Sequence, residues 1–155
     1  ANLVPFLREV CEQFQPVEGK RIRISYFASS DDIDVVFDEQ QLRIAIEQLL
    51  ANSVKFAPND SRAKIFVDAI QDKAVIRIAD KGVGIPDEVM PYVFEPFNGD
   101  EAENLKLYEV NEIVTAHGGT IRAENNRGGG TIFIIELPLE KEVEIEEAVV
   151  MEDDE

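Results

Sequence analysis

The chain has 155 residues, 45% of them hydrophobic, and carries a formal net charge of −17. That is one domain's length with enough apolar residue for a core, and so acidic a balance excludes a general nucleic-acid binder. No apolar run approaches the ~20 residues that span a bilayer, the start lacks a basic-then-apolar leader pattern, and Cys11 is the single cysteine, which excludes an internal disulfide framework or a Cys-rich metal cluster.

These features predict a cytosolic protein, or the cytosolic part of something larger. The charge is unevenly placed. From Glu140 onward the chain reads EKEVEIEEAVVMEDDE, nine acids against Lys141 alone, and this end supplies −8 of the total. Such a run predicts a solvated acidic tail over 140–155, and the folded domain is expected over 1–139.

Taken in order, Asn2 to Phe14 has Leu3, Phe6, Leu7, Val10 and Phe14 at helical spacing, and Pro16 and Gly19 end the run. Arg21 to Phe27 alternates as a half-buried strand does, and after a Ser-Asp turn Ile33 to Phe37 reads as a second short strand. Asp38 has the chemistry of a helix N-cap, with Gln41 three residues on as in a capping box. The helix it opens, Glu39 to about Phe56, buries Leu42, Ile46, Leu49, Leu50 and Val54 and is stopped by Ala57-Pro58-Asn59-Asp60. Gln48, Asn52 and Lys55 share one of its faces, a spacing that an ordinary solvated face also produces.

Ala63 to Ala69 and Ala74 to Ala79 read as a hairpin around Gln71-Asp72-Lys73. A glycine turn follows, then a short helix over Val89 to Val93, then Phe94-Glu95-Pro96-Phe97. Asn98 to Asn104 reads as a polar loop and Leu107 to His117 as a helix closed by Gly118-Gly119. Thr120 to Glu124 and Thr131 to Leu137 are the last strands. This pattern predicts an α/β chain folded as a two-layer sandwich, with a mixed, mostly antiparallel sheet of about five strands under about three helices.

The stretch around which the rest is organised is Asp80-Lys81-Gly82-Val83-Gly84-Ile85, at the end of an apolar strand. Glycines let the backbone take positive φ and let a flat ligand come close, and a carboxylate there can accept a hydrogen bond from an exocyclic amine such as that of adenine. Alone, the pattern is also that of a plain glycine-rich turn.

The order of motifs resembles the catalytic and ATP-binding domain of sensor histidine kinases, the Bergerat fold of the gyrase, chaperone, histidine kinase and mismatch-repair ATPase superfamily. Gln48 to Phe56 is similar to that family's N box, Asp80 to Ile85 to its first glycine box, and Val93 to Phe97 to its F box. Ile113 to Gly119, with Gly128 to Phe133 and Leu137-Pro138, is similar to its C-terminal half. The resemblance covers Asn2 to Leu139.

It implies a nucleotide pocket in which Asp80 binds the adenine amine and Gly82, Gly84 and Ile85 shape the floor. It places Thr131 near the base, Lys55 at phosphate, and Asn52 with Gln48 at Mg²⁺. The implied activity is delivery of the γ-phosphoryl of ATP to a histidine on a separate dimerisation domain, with a response regulator as the further partner. Residues 1–16 are then the connection from that dimerisation domain. His117, the only histidine, is expected to serve the helix end, so the chain is not expected to phosphorylate itself.

Two departures stand out. Gln48 occupies a position that is usually Asn, and the second glycine box is expected at Asn104-Leu105-Lys106-Leu107, where its glycines are replaced by Asn104 and Lys106 behind a short lid. These keep a second reading open, a degenerate kinase-like domain serving as a regulatory or response-regulator docking module. Hydrolysis of the gyrase type is not expected, because Glu47 stands about 100° around the helix from Gln48.

Overall fold

The computed structural model describes residues 1–14, 21–56, 58, 60–82, 84–96, 102–126 and 128–141, without the side chains of 55, 56 and 102–106. Pro16, Gly19, Phe97, the expected lid over 98–101 and the acidic run from 142 onward lie outside that description.

The first helix, α1 (Leu3–Gln13), is opened by Asn2, whose side-chain oxygen accepts the Val4 N–H at 3.1 Å. The same oxygen accepts the Ile33 N–H at 3.1 Å, which fastens the start of the chain to the segment after β1. Leu3, Val4, Phe6, Leu7 and Val10 are buried. The helix expected as a connection to a preceding domain is thus packed into this core. Tyr26 on β1 (Arg23–Ala28) donates its hydroxyl to the Val4 carbonyl at 2.7 Å. Burial pushes that phenol up to about 12 and the Cys11 thiol up to about 11, so neither titrates near neutrality.

The expected strand at Ile33 to Phe37 forms only one bridge, between Asn2 and Asp34. Its alternation is real, since Ile33 and Val35 are buried and Val36 is 72% exposed. Its backbone partners, however, are isolated residues at the two ends of the described chain, with Leu3 N–H donating to Ile33, Val35 N–H to Ala1 and Glu140 N–H to Asp34. Neither partner runs far enough alongside to extend a ladder.

Parallel neighbours need a crossover, and α2 (Glu39–Phe56) supplies it between β1 and β2 (Arg62–Ile70). Leu42, Ile46, Leu49, Leu50 and Val54 are all fully buried, each contributing about 1.5–3 kcal/mol of transfer free energy. Asp38 caps α2 by accepting the Gln41 N–H at 3.0 Å. Its own N–H is satisfied by His117 Nε2 at 3.0 Å, in the role that a capping box gives to the Gln41 side chain.

β3 (Lys73–Ala79) pairs antiparallel with β2 across the expected hairpin, and β5 (Thr131–Pro138) lies between β3 and β4 (Thr120–Asn125). The sheet order is β1-β2-β3-β5-β4, with one parallel pair among four. Register brings Ile65 opposite Ile78, Ile78 opposite Phe133, and Ile76 opposite Ile135 on the helix-covered face. The architecture is the two-layer α/β sandwich expected from the sequence.

The last helix, α3 (Ala102–Ala116), starts five residues before Leu107. The expected loop therefore ends earlier, and Asn104 to Leu107 are helical. Ala102-Glu103-Asn104-Leu105-Lys106 contains good helix formers and no glycine to interrupt them. The helix closes in a Schellman motif, with Gly119 N–H bound to the Val114 carbonyl and Gly118 N–H to that of Thr115. The short helix expected at Val89 to Val93 is a single 3-10 turn over Met90–Tyr92.

Candidate functional site at the end of strand β3

Asp80 follows the last residue of β3, where the strand leaves the sheet for the glycine turn. Its side chain is 6% exposed. The carboxylate Oδ1 accepts the Gly82 N–H at 2.8 Å and the Thr131 N–H at 3.2 Å, and the Asp80 N–H donates to the Thr131 carbonyl at 3.0 Å. Main-chain bonds on both sides therefore fix this side chain before any ligand arrives.

Burial pushes the Asp80 carboxyl above its ordinary value, opposed by the Gly82 and Thr131 N–H groups and by the Ser53 hydroxyl. Ser53 Oγ, on α2, lies close enough to favour the charged carboxylate yet closes no hydrogen bond of good geometry. Its neighbour Asn52 is 8% exposed, and its side-chain Nδ2 is buried without a partner. Buried polar atoms are almost always paired. The unpartnered Asn52 Nδ2 is thus a buried donor free to meet a ligand acceptor.

Of the rest of the expected set, Gly82 and Thr131 bond to Asp80 directly. Gly82 and Gly84 are half-buried, Ile85 is half-buried against the core, and Thr131 is 5% exposed. Gly84 has φ +83°, and a Cβ there would stand 2.9 Å from Asn125 Oδ1. Asn125 binds Ile85 through both amide atoms. Gln48 is half-buried one helical turn before Asn52. Lys55 lies in the last turn of α2 with its side chain outside the described residues, as is that of Lys106 in α3. Of the F box, Val93 is buried and Phe94 meets Phe133 edge-on at 6.3 Å.

Sequence reasoning missed Ser53 and Gly130. Ser53 reads as an ordinary helix residue, and only the crossing of α2 behind β3 brings it to Asp80. Gly130, at φ +92°, has Asp80 against it so closely that a Cβ would overlap the aspartate carbonyl. A run of three glycines gives no sign of which one is needed. His117 serves structure, as expected. Its Nδ1 donates to the Ile113 carbonyl at 2.8 Å and its Nε2 accepts from Asp38, which requires the neutral ring.

An adenine nucleotide fits these residues. The buried Asp80 acceptor matches a base with an exocyclic amine, and the unpartnered Asn52 Nδ2 donor matches an acceptor such as a phosphate oxygen. Among the described residues no helix is long and apolar enough to cross a membrane.

The family model of histidine kinase-, DNA gyrase B- and HSP90-like ATPases matches residues 37–141. The sensor protein KdpD of Clostridium acetobutylicum is 34% identical over 78% of this chain and 14% of its own length. The sensor histidine kinase WalK of Bacillus subtilis is 25% identical over 92% of this chain and 25% of its own. The chain thus spans a quarter or less of these relatives. Among solved structures, the catalytic domain of histidine kinase ThkA matches with a TM-score of 0.78 and 25% identity, covering 88% of this chain and 94% of that one. Full-length ShkA in complex with AMPPNP matches with a TM-score of 0.79 and 25% identity, over 93% of this chain and 31% of that one. The chain belongs to the histidine kinase-, DNA gyrase B- and HSP90-like ATPase family, as an ATP-binding catalytic domain of the sensor histidine kinase kind.

Proposed function

We propose that this domain binds ATP with Mg²⁺ and presents the γ-phosphoryl group to a histidine on a separate dimerisation domain, which passes it to a response regulator. The observation that carries the reading is the buried Asp80 carboxylate, held by the Gly82 and Thr131 main chain at the end of β3. Bound ATP supplies the transferable phosphoryl group.

In this reading the ionised Asp80 accepts a hydrogen bond from the adenine amine, and Gly82, Gly84 and Ile85 form the floor under the base. Thr131 holds the carboxylate from the other side. Gln48 and Asn52 would hold Mg²⁺, which would neutralise phosphate charge, and Lys55 would meet phosphate with its own charge. Phosphoryl transfer depends mostly on positioning and charge neutralisation, so these binding residues are the whole contribution asked of the domain. The acceptor must come from elsewhere, because both nitrogens of His117 are engaged in the fold.

The degenerate, docking-module reading predicts no transfer. The test is to incubate the chain with γ-labelled ATP, Mg²⁺ and the histidine-bearing dimerisation domain of its parent protein. Acid-labile label on the dimerisation domain, absent with Asp80→Asn, is the expected result. ATP binding without transfer to any histidine would favour the docking module.

A further inference from the structure

Two residues facing each other across the β4–β5 hairpin grip the two ends of the loop after β3. Thr131 holds Asp80 at one end through main-chain bonds. Asn125, its cross-strand partner, holds Ile85 at the other. Asn125 Oδ1 accepts the Ile85 N–H at 2.9 Å, and Asn125 Nδ2 donates to the Ile85 carbonyl at 2.8 Å.

The two bonds together imitate the exchange made by a hydrogen-bonded residue pair in an antiparallel sheet. They need one donor atom and one acceptor atom side by side on a short side chain, which Asn provides; Asp offers only acceptors when ionised, and Ser carries donor and acceptor on a single oxygen with a shorter reach. Gly84, the residue before Ile85, leaves the space that Asn125 Oδ1 approaches. Asn125 itself is exposed and contributes nothing to the core.

We propose that Asn125 is a positioning residue for the nucleotide site, holding Ile85, at the far end of the turn that begins at Asp80, in its binding position through the Ile85 backbone. The proposal rests on the nucleotide reading above. Without Asn125 the far end of the loop is released, and binding must then order it again. Because the two bonds are exposed to water, their loss falls on the loop rather than on the fold.

The test compares the parent chain with Asn125→Ala and Asn125→Ser by ADP titration, thermal melting and hydrogen exchange at the Ile85 amide. The expected loss of ADP affinity is about tenfold for Ala and about threefold for Ser, which keeps one of the two bonds. Melting temperatures should stay within about 3 °C of the parent. Ile85 exchange should speed up in the Ala variant and slow again with saturating ADP. Parent-like ADP affinity in the Ala variant, or a lower melting temperature with unchanged affinity, would overturn the proposal. If Asn125→Ala does not fold, parent-like affinity and exchange in Asn125→Ser overturn it equally. A parent that fails to bind ADP overturns the nucleotide reading instead, while faster Ile85 exchange in the variants would still establish that Asn125 holds the loop.

Discussion

Gly130 lies against Asp80 so closely that a Cβ on the glycine would overlap the aspartate carbonyl oxygen and stand 2.9 Å from its Oδ1. The glycine also sits at φ +92°, where a side chain is strained whatever the space. Gly130→Ala is therefore expected to cost about 3 kcal/mol of unfolding free energy, combining overpacking with backbone strain. Urea unfolding measures it. A loss below about 1 kcal/mol would mean that the hairpin shifts away easily and that Asp80 is not held as described.

Asp80 itself should be dispensable for stability. Its carboxyl is raised by burial, so the folded chain keeps this proton over a range where the unfolded chain has lost it. The favourable contribution is complete below the unfolded value and is lost as pH rises through the folded one. Above the folded value the charged group is a standing cost. In Asp80→Asn the amide oxygen still accepts from Gly82 and Thr131, and the Ser53 hydroxyl close to the carboxylate can turn from donor to acceptor for the new amide N–H. Its melting temperature at neutral pH should equal the parent's or exceed it by up to about 5 °C. A clear drop would show that the charge stabilises the fold.

The same raised value sets the pH response of binding. Adenosine, which has no phosphate to titrate, should bind the ionised carboxylate and be lost on acidification as Asp80 takes up its proton. Burial moves that loss to higher pH than an ordinary aspartate gives. Affinity measured from neutral into the acidic range checks it, and adenosine binding that is flat with pH would detach base recognition from Asp80.

Gln48 and Lys55 carry the phosphate half of the account. Gln48→Ala should abolish most of the gain in ATP affinity that Mg²⁺ brings, while leaving adenosine binding unchanged. Lys55→Ala should weaken ATP by about tenfold, the range of one hydrogen bond to a charged group. Titration with and without the metal checks both. An undiminished Mg²⁺ effect in Gln48→Ala would remove Gln48 from the metal site.

His117 joins the C-terminus of α3 to the cap of α2, with Asp38 N–H donating to its Nε2. His117→Ala leaves that N–H and the Ile113 carbonyl to water, an expected cost of about 1 kcal/mol. It should not alter nucleotide affinity. A changed affinity would connect the two helix ends to the site.

Much of this was legible in the chain. The spacing from Leu42 to Val54, the hairpin around Gln71-Asp72 and the Gly118-Gly119 stop are local signals, and local backbone physics realised them. So did the Asp80 turn. Ile33 to Phe37 showed true alternation but found no ladder partner, because pairing is decided by what lies alongside. The start of α3 was misjudged because a loop was expected where Ala102-Glu103 already favour helix. Ser53, Asn125 and Gly130 meet Asp80 and Ile85 only through the crossing of α2 and the β4–β5 hairpin, which no spacing along the chain expresses.

The most direct measurement of the central claim is calorimetric titration of the chain with ATP, with and without Mg²⁺, beside Asp80→Asn. The account predicts binding by the parent that strengthens with Mg²⁺ and disappears in the variant. Equal binding by parent and variant, or a parent indifferent to nucleotide and metal alike, would contradict it.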